Sequence, residues 1–433
     1  MRELAQFAVE KIKSLNVSAD CSLNQTRGFS VTARMGDVET LQHHDEKNFG
    51  VTIYHDHRTG SASSSDFSKE SIIATIDKAF MIASFSHPDP YSGLPDPKKL
   101  AQVQLDCDLY HPWDISPQQA IQMAIDCEKK ACAFDSRIKN SDGASVSSIT
   151  SHVLYANTLG FIGEVTSTEH GMSCGVIAGE NDHMQREDEY TVARNPRDLW
   201  LTDVVAKRAA EKTIKRLGAK QIHTQTCPVI FEAPIAKTLL RAFIAAISGG
   251  NLYRQSSFLL NSLGEKIFPD FVNIEQHPFL LSAMGSTPFD GEGVTVSNQH
   301  YIRNGELVSY VLSSYSARKL GLETTGNAGG VFNLSLSHSD LSFEQLIKKM
   351  NRGLLVTELM GQGINITTGD YSRGASGFWV DNGEIQFPVE GITIANNLKS
   401  MFANLVAVSN DIDTRGTIRT GSILLDHMTI AGS

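Results

Sequence analysis

The chain has 433 residues, 41% of them apolar and 20% charged, with a formal net charge of −10. That length exceeds one ordinary core, so two or three domains of a soluble globular protein are expected. No apolar run reaches the roughly 18 residues of a membrane span, and no lysine or arginine block marks a nucleic-acid surface.

The N-terminus carries charges at Arg2, Glu3, Glu10, Lys11 and Lys13, which suits an amphipathic helix rather than a signal peptide. The six cysteines include no CxxC pair, which argues against a disulfide framework and a cysteine zinc site. Reduced thiols in a cytoplasm are the simplest account. Leu4, Phe7, Ala8, Ile12 and Leu15 fall at helical spacing, with Asn16 as the stop. Alternation follows at Ala19, Cys21 and Leu23, at Phe29, Val31, Ala33 and Met35, and at Val51 and Ile53, with turns at Gly36-Asp37 and from His57 to Gly60. A strand meander is expected there, then a helix capped by Ser68.

Prolines 88, 90, 95 and 97 mark a boundary. Beyond it the order repeats: a capping box at Ser116-Pro117-Gln118-Gln119 opens a helix, strands run from Ser145 to about Arg194, and a helix covers about 199 to 217. The fold class expected is α+β. Its N-terminal part holds two helix, meander, helix units, and its C-terminal domain is strand-rich, with a mixed sheet and hairpins. The boundaries are 1–90 for an N-terminal α+β unit, 91–115 for a proline-rich linker, 116–220 for a central α+β unit and 221–433 for the C-terminal domain. In that last part Asn304-Gly305 and Asn382-Gly383 are hairpin signals, since Asn-Gly accepts both positive φ angles of a type I′ turn. Ser342-Phe343-Glu344-Gln345 caps a helix ending at Gly353, and the eight glycines from Gly353 to Gly391 point to sheet with close backbone approaches.

Val229 to Gly250 reads as a strand entering a helix. Val229, Ile230 and Phe231 suit a buried strand, and Pro234 suits a first helical turn. Lys237 and Arg241 share one stripe of an otherwise apolar surface, and Gly249-Gly250 supply a left-handed ending. The pattern is that of a central core helix with no metal ligand on it.

Other motifs carry little chemistry. Gly171-Met172-Ser173-Cys174-Gly175 matches G-x-S-x-G but lacks the helix that should follow, so it is read as coincidence. His43-His44-Asp45 and His55-Asp56-His57 are read as solvated strand ends lacking a third ligand. No P-loop is present, and Gly361-Gln362-Gly363 does not complete a dinucleotide fingerprint. The polar cluster Gly369 to Gly374 has two readings: a tight loop satisfying its own backbone, or a surface for substrate or partner through Asp370, Tyr371, Ser372 and Arg373.

Four blocks go further: VTELMGQGINITTGDYSRGASGFWVDNGEIQFPVEGITIANNLKSMF (Val356 to Phe402), SYSARKLGL (Ser314 to Leu322), GNLYRQSSFLLNSLGEKIFPD (Gly250 to Asp270) and STPFDGEG (Ser286 to Gly293). They closely resemble the TldD/PmbA family, most of all its PmbA branch, also called TldE, and the likeness extends over essentially the whole chain. The resemblance implies a subunit of a bacterial cytoplasmic metalloprotease complex. In it, a TldD chain holds zinc through an H-E-x-x-x-H helix and a later cysteine, and the complex trims or degrades flexible peptides such as antibiotic-precursor leaders and antitoxins. Placed on that helix, Arg241 stands at the first histidine, Ala242 at the glutamate and Ala246 at the second histidine, and no cysteine follows Cys227. An arginine stays protonated and an alanine offers no donor. The expectation is therefore a chain with no catalytic residue, metal or cofactor of its own, with zinc in a TldD-like partner, a homodimer when alone, and neither nucleic acid nor membrane as partner. The alternatives are an autonomous metallopeptidase built on scattered histidines and a non-proteolytic regulator of gyrase.

Overall fold

The computed structural model describes residues 1–432. The first half alternates as the apolar pattern requires: α1 (Arg2–Lys13), β1 (Ser18–Arg34), β2 (Asp37–His55), β3 (Arg58–Ser64), α2 (Lys69–Phe85), α3 (Pro117–Ala133), β4 (Ile138–Asn157), β5 (Ile162–Ala178), β6 (Gln185–Ala193) and α4 (Thr202–Lys215). The Ser68 hydroxyl accepts from the Ser71 N–H, and Ser116 and Gln119 form the expected reciprocal box. The two meanders are not separate sheets. β1 pairs antiparallel with β4 from Asp20↔Asn157 to Ala33↔Ala144, giving one six-stranded sheet in the order β3-β2-β1-β4-β5-β6. Two helix pairs bury separate clusters on it: α1 and α2 cover Cys21, Leu23, Val51 and Ile53, while α3 and α4 cover Val31, Ala33, Val146 and Cys174.

Strand β1 is one element of 17 residues where alternation suggested two. The polar stretch between them, Asn24 to Gly28, stays in register because β2 and β4 both pair with it. The proline-rich segment is also not a free linker. Leu100 bridges to Val294, Ala101 donates its N–H to the Gly293 carbonyl at 2.9 Å, and Thr168 donates its N–H to the Leu109 carbonyl at 2.9 Å. The segment is a strap laid over both halves of the molecule.

The second half contains β7 (Gln225–Phe231), α5 (Ala233–Ala246), α6 (Gly249–Tyr253), β8 (Ile274–Gln276), β9 (Gln299–Arg303), β10 (Glu306–Leu307), α7 (Ser314–Leu320), β11 (Leu334–Leu336), α8 (Phe343–Met350), β12 (Gly353–Met360), β13 (Asp370–Asp381), β14 (Glu384–Asn397), α9 (Leu398–Ala403), β15 (Leu405–Val408), β16 (Ile418–Arg419) and β17 (Ile423–Ala431). A mixed sheet runs β14-β13-β12-β7-β17-β15 and is drawn round by further β14–β17 pairing; a smaller sheet runs β10-β9-β8-β11-β16. Both Asn-Gly turns are present, with φ of 49° and 77° at Asn304 and Gly305 and 53° and 74° at Asn382 and Gly383.

Helix α5 is the central core helix expected. Its Leu239, Leu240, Phe243 and Ala246 lie in the largest cluster with Phe231, Tyr301 and Phe402. Its ending is corrected. Gly249 and Gly250 do not take a left-handed turn but begin α6, and Gly249 is needed for space, since a Cβ there would lie 2.3 Å from the Ser316 hydroxyl of α7. Helix α8 likewise stops at Met350, with Asn351 at φ 61° as the break, and Gly353 already belongs to β12.

Candidate functional site

The positions compared with a metal helix sit on α5 as follows. Arg241 is exposed, Ala242 is buried, and Ala246 is wholly enclosed in the core. The Ala246 carbonyl accepts from the Ser257 hydroxyl at 2.5 Å, and the Ala245 carbonyl accepts from Asn251 at 2.7 Å, so the C-terminal turn is tied to α6 and the segment after it. Cys227 lies on β7 under apolar cover, and burial raises its thiol pKa to about 11, away from the thiolate a metal needs. The donor chemistry of these residues does not fit zinc. Among the described residues, no three His, Cys, Asp or Glu side chains stand together as a metal-holding group.

Of the two histidine motifs read as solvated strand ends, His55-Asp56-His57 lies at the end of β2, while His43-His44-Asp45 lies in mid-strand, paired with Arg27 to Phe29 of β1. His44 shares a 3.3 Å hydrogen bond with Ser30, and Asp45 accepts from Gln25 and Arg27. Asp56 and His57 form the turn between β2 and β3. Gly171 to Gly175 lies inside β5, with no nucleophile elbow.

The cluster at Asp370 divides between its two readings. Asp370 accepts from the Thr368 hydroxyl at 2.6 Å and from Asn397 at 3.3 Å, so it ties its own loop, and Ser372 is exposed. Tyr371 is 1% exposed, edge-on to Phe231 with ring centroids 6.3 Å apart, and so cannot belong to an open surface. Successive strand residues face opposite ways, and Tyr371 takes the inner face of β13. Arg373 is partly buried.

What the sequence motifs did not indicate is a cleft of about 600 Å³ at the N-terminal end of α5, where β6 and α4 meet the 411–419 loop and the 281–284 loop. Arg415 fastens it. Its guanidinium makes a forked pair with Asp413 at 2.9 and 3.1 Å, reaches Glu189 on β6 at 2.6 Å and the Tyr190 carbonyl at 2.9 Å, and lies 4.4 Å over the Tyr190 ring. Lys212 of α4 adds a 3.0 Å contact to Glu189. Burial pushes the Glu189 and Asp413 carboxyls up, but these cations outweigh it and hold both below the ordinary carboxylate range. The Arg208 guanidinium stacks 4.2 Å over Trp200 on the same wall.

Two charged groups in the cleft differ from these. Glu232, the residue before α5, makes no capping hydrogen bond, and burial raises its carboxyl to about 7, with only Lys212 opposing. Arg419, on β16, has no acceptor for its guanidinium among the described residues, and burial alone acts on its pKa. The Asp411-Ile412-Asp413-Thr414-Arg415-Gly416 run, polar between apolar strands, is the available signal for this site, but its partners on β6 and α4 lie about 200 residues earlier.

With this geometry established, models of three PmbA/TldA metallopeptidase domains match the chain: domain 1 over residues 19–83, the central domain over 110–217 and the C-terminal domain over 224–432. The chain belongs to the PmbA/TldD metallopeptidase family. It is 45% identical over 432 residues to a protein of Escherichia coli O157:H7 named metalloprotease PmbA, covering 100% of this chain and 96% of that one, which places it in the PmbA branch. A solved structure from Bacteroides thetaiotaomicron, described as a candidate modulator of DNA gyrase, is 27% identical with a TM-score of 0.94 and covers 100% and 99% of the two chains. TldE from Thermococcus kodakarensis, at 20% identity, shares the fold with a TM-score of 0.83 over the full length of both chains.

Proposed function

We propose that this chain is the metal-free subunit of a two-chain cytoplasmic peptidase, pairing with a TldD-like subunit that carries the zinc. The observation that carries the reading is the donor set of α5: an exposed arginine and two buried alanines stand at the positions that would hold the metal and the general base, and Cys227 is the last cysteine. Such a helix keeps its packing role and contributes no ligand or base. The substrates proposed are flexible peptides taken up as an added strand, for which main-chain hydrogen bonds give affinity across varied sequences.

The test is co-expression with the TldD-like chain of the same organism, followed by light scattering, metal analysis and a peptide cleavage assay on each chain alone and on the mixture. A stable complex, with zinc and chelator-sensitive cleavage only when the second chain is present, is the expected outcome. Stoichiometric zinc together with peptidase activity in this chain alone would sink the reading.

A further inference from the structure

A partly buried guanidinium that lines a cleft and makes no ion pair with the protein is available to a ligand anion. Arg419 is in that position, partly buried in the cleft lining, while Arg415 and Lys212 in the same cleft are committed to carboxylates. The guanidinium stays charged and presents a planar fork that matches a carboxylate. The lining carries six carboxylates against five cations, so a dianion such as phosphate meets about twice the repulsion that a single negative charge does. The cleft volume of about 600 Å³ lies within the range of sites that enclose small ligands.

The walls point to a peptide as the bearer of that charge. One wall is β6, the terminal strand of its sheet, which contributes Thr191, Val192 and Ala193. An unpaired strand edge offers backbone groups to an extended chain. Trp200, Pro234 and Ile412 add apolar surface between the charged groups. The 281–284 loop opposite is held in place, with the Met284 carbonyl accepting from Arg194 at 2.8 Å and Ser282 donating to Asp108 at 2.6 Å.

We propose that the cleft between β6, α4 and the start of α5 binds the C-terminal carboxylate of a peptide, with the Arg419 guanidinium as its counter-ion. The cleft lies within one chain, so binding is measured without any partner, and a negative result leaves the pairing reading above untouched.

The experiment is calorimetric titration of the full chain with N-acetyl-trialanine, with its C-terminal amide, with an amidated peptide bearing one glutamate side chain, and with inorganic phosphate. The free acid is expected to bind with millimolar or better affinity, and the amide about tenfold or more weakly. Arg419→Gln is expected to weaken the acid to the level of the amide, and Arg419→Lys to fall between, since it keeps the charge and loses the fork. The Arg419 side chain makes no hydrogen bond or ion pair among the described residues, so both variants are expected to fold, with thermal melting as the check. Equal binding of acid and amide, no binding of either, or an unchanged affinity in Arg419→Gln would overturn the proposal. So would phosphate or the glutamate side chain binding as tightly as the free C-terminus.

Discussion

Replacing Glu232 by glutamine removes a titratable group whose carboxyl burial raises from 4.5 to about 7. The unfolded chain releases this proton above about pH 4.5, while the folded chain keeps it until about pH 7. Stability from the bound proton is therefore full below the unfolded value and declines as pH rises, being lost above the folded one. The shift corresponds to about 3 kcal/mol at 1.36 kcal/mol per pH unit, reduced to about 2 kcal/mol because the carboxyl stands at a cleft that water enters. Glu232→Gln should match the parent near pH 4 and exceed it by about 2 kcal/mol near pH 8. Urea denaturation followed by tryptophan fluorescence is suitable, because Trp200 lines the same cleft. A chain of several domains need not unfold in one step, so the transition compared is the one that moves the Trp200 signal. If the two proteins lose stability in parallel from acid to alkaline pH, Glu232 is ionised at ordinary pH and the reasoning fails.

Arg415→Met should destabilise the chain by about 3 kcal/mol, because it leaves the buried Glu189 and Asp413 with Lys212 at 3.0 Å and Lys237 at 3.8 Å as their remaining cations; urea midpoints read this directly. Glu128→Ala should cost about 1 to 2 kcal/mol, since the Glu128 carboxylate on α3 accepts the Met35 and Gly36 N–H groups at 2.7 and 2.9 Å and so holds the β1–β2 turn. A loss below a few tenths of a kcal/mol would show that water replaces both bonds at no cost. The triple change Arg241→His, Ala242→Glu, Ala246→His should not create a zinc enzyme: no cysteine is supplied, and Ala246 is fully buried in the core. Elemental analysis showing tightly held zinc with chelator-sensitive cleavage would refute that account of what the site lacks.

Local chemistry made much of the fold legible. The reciprocal boxes at Ser116 and Ser342 and both Asn-Gly turns depend on a few adjacent residues, so the sequence contains the whole cause. The end of α5 was misread because its cause is tertiary: Gly249 is small to admit Ser316 of α7, not to turn left-handed. The union of the two meanders into one sheet was also not legible, since β1–β4 pairing joins residues more than 100 apart. One of the two readings of the 369–374 cluster puts Tyr371 on a surface because its neighbours Asp370 and Ser372 are polar, although alternation along a strand puts an aromatic residue between two polar ones on the buried face. The cleft went unread for the same reason as the sheet: Glu189, Lys212, Glu232 and Arg415 are unremarkable singly and come together only in the fold.

Helix α5 links these results. A metal-bearing helix would place chemistry on its middle and last turns, and here Ala242, Phe243 and Ala246 on those turns belong to the main core cluster, with Phe243 edge-on to Phe268 and Phe402. Its first turn faces the cleft, where Glu232, Ala233 and Pro234 form part of the lining. Glu232 therefore lies at the opening end of the helix, about two and a half to four turns before the positions where a metal would sit. Unpaired and desolvated groups lower stability unless a ligand satisfies them, and such local conflicts concentrate at sites of function. Glu232 and Arg419 stand beside the fully paired Arg415, and on that ground the carboxylate site is proposed at the cleft rather than on the middle of α5.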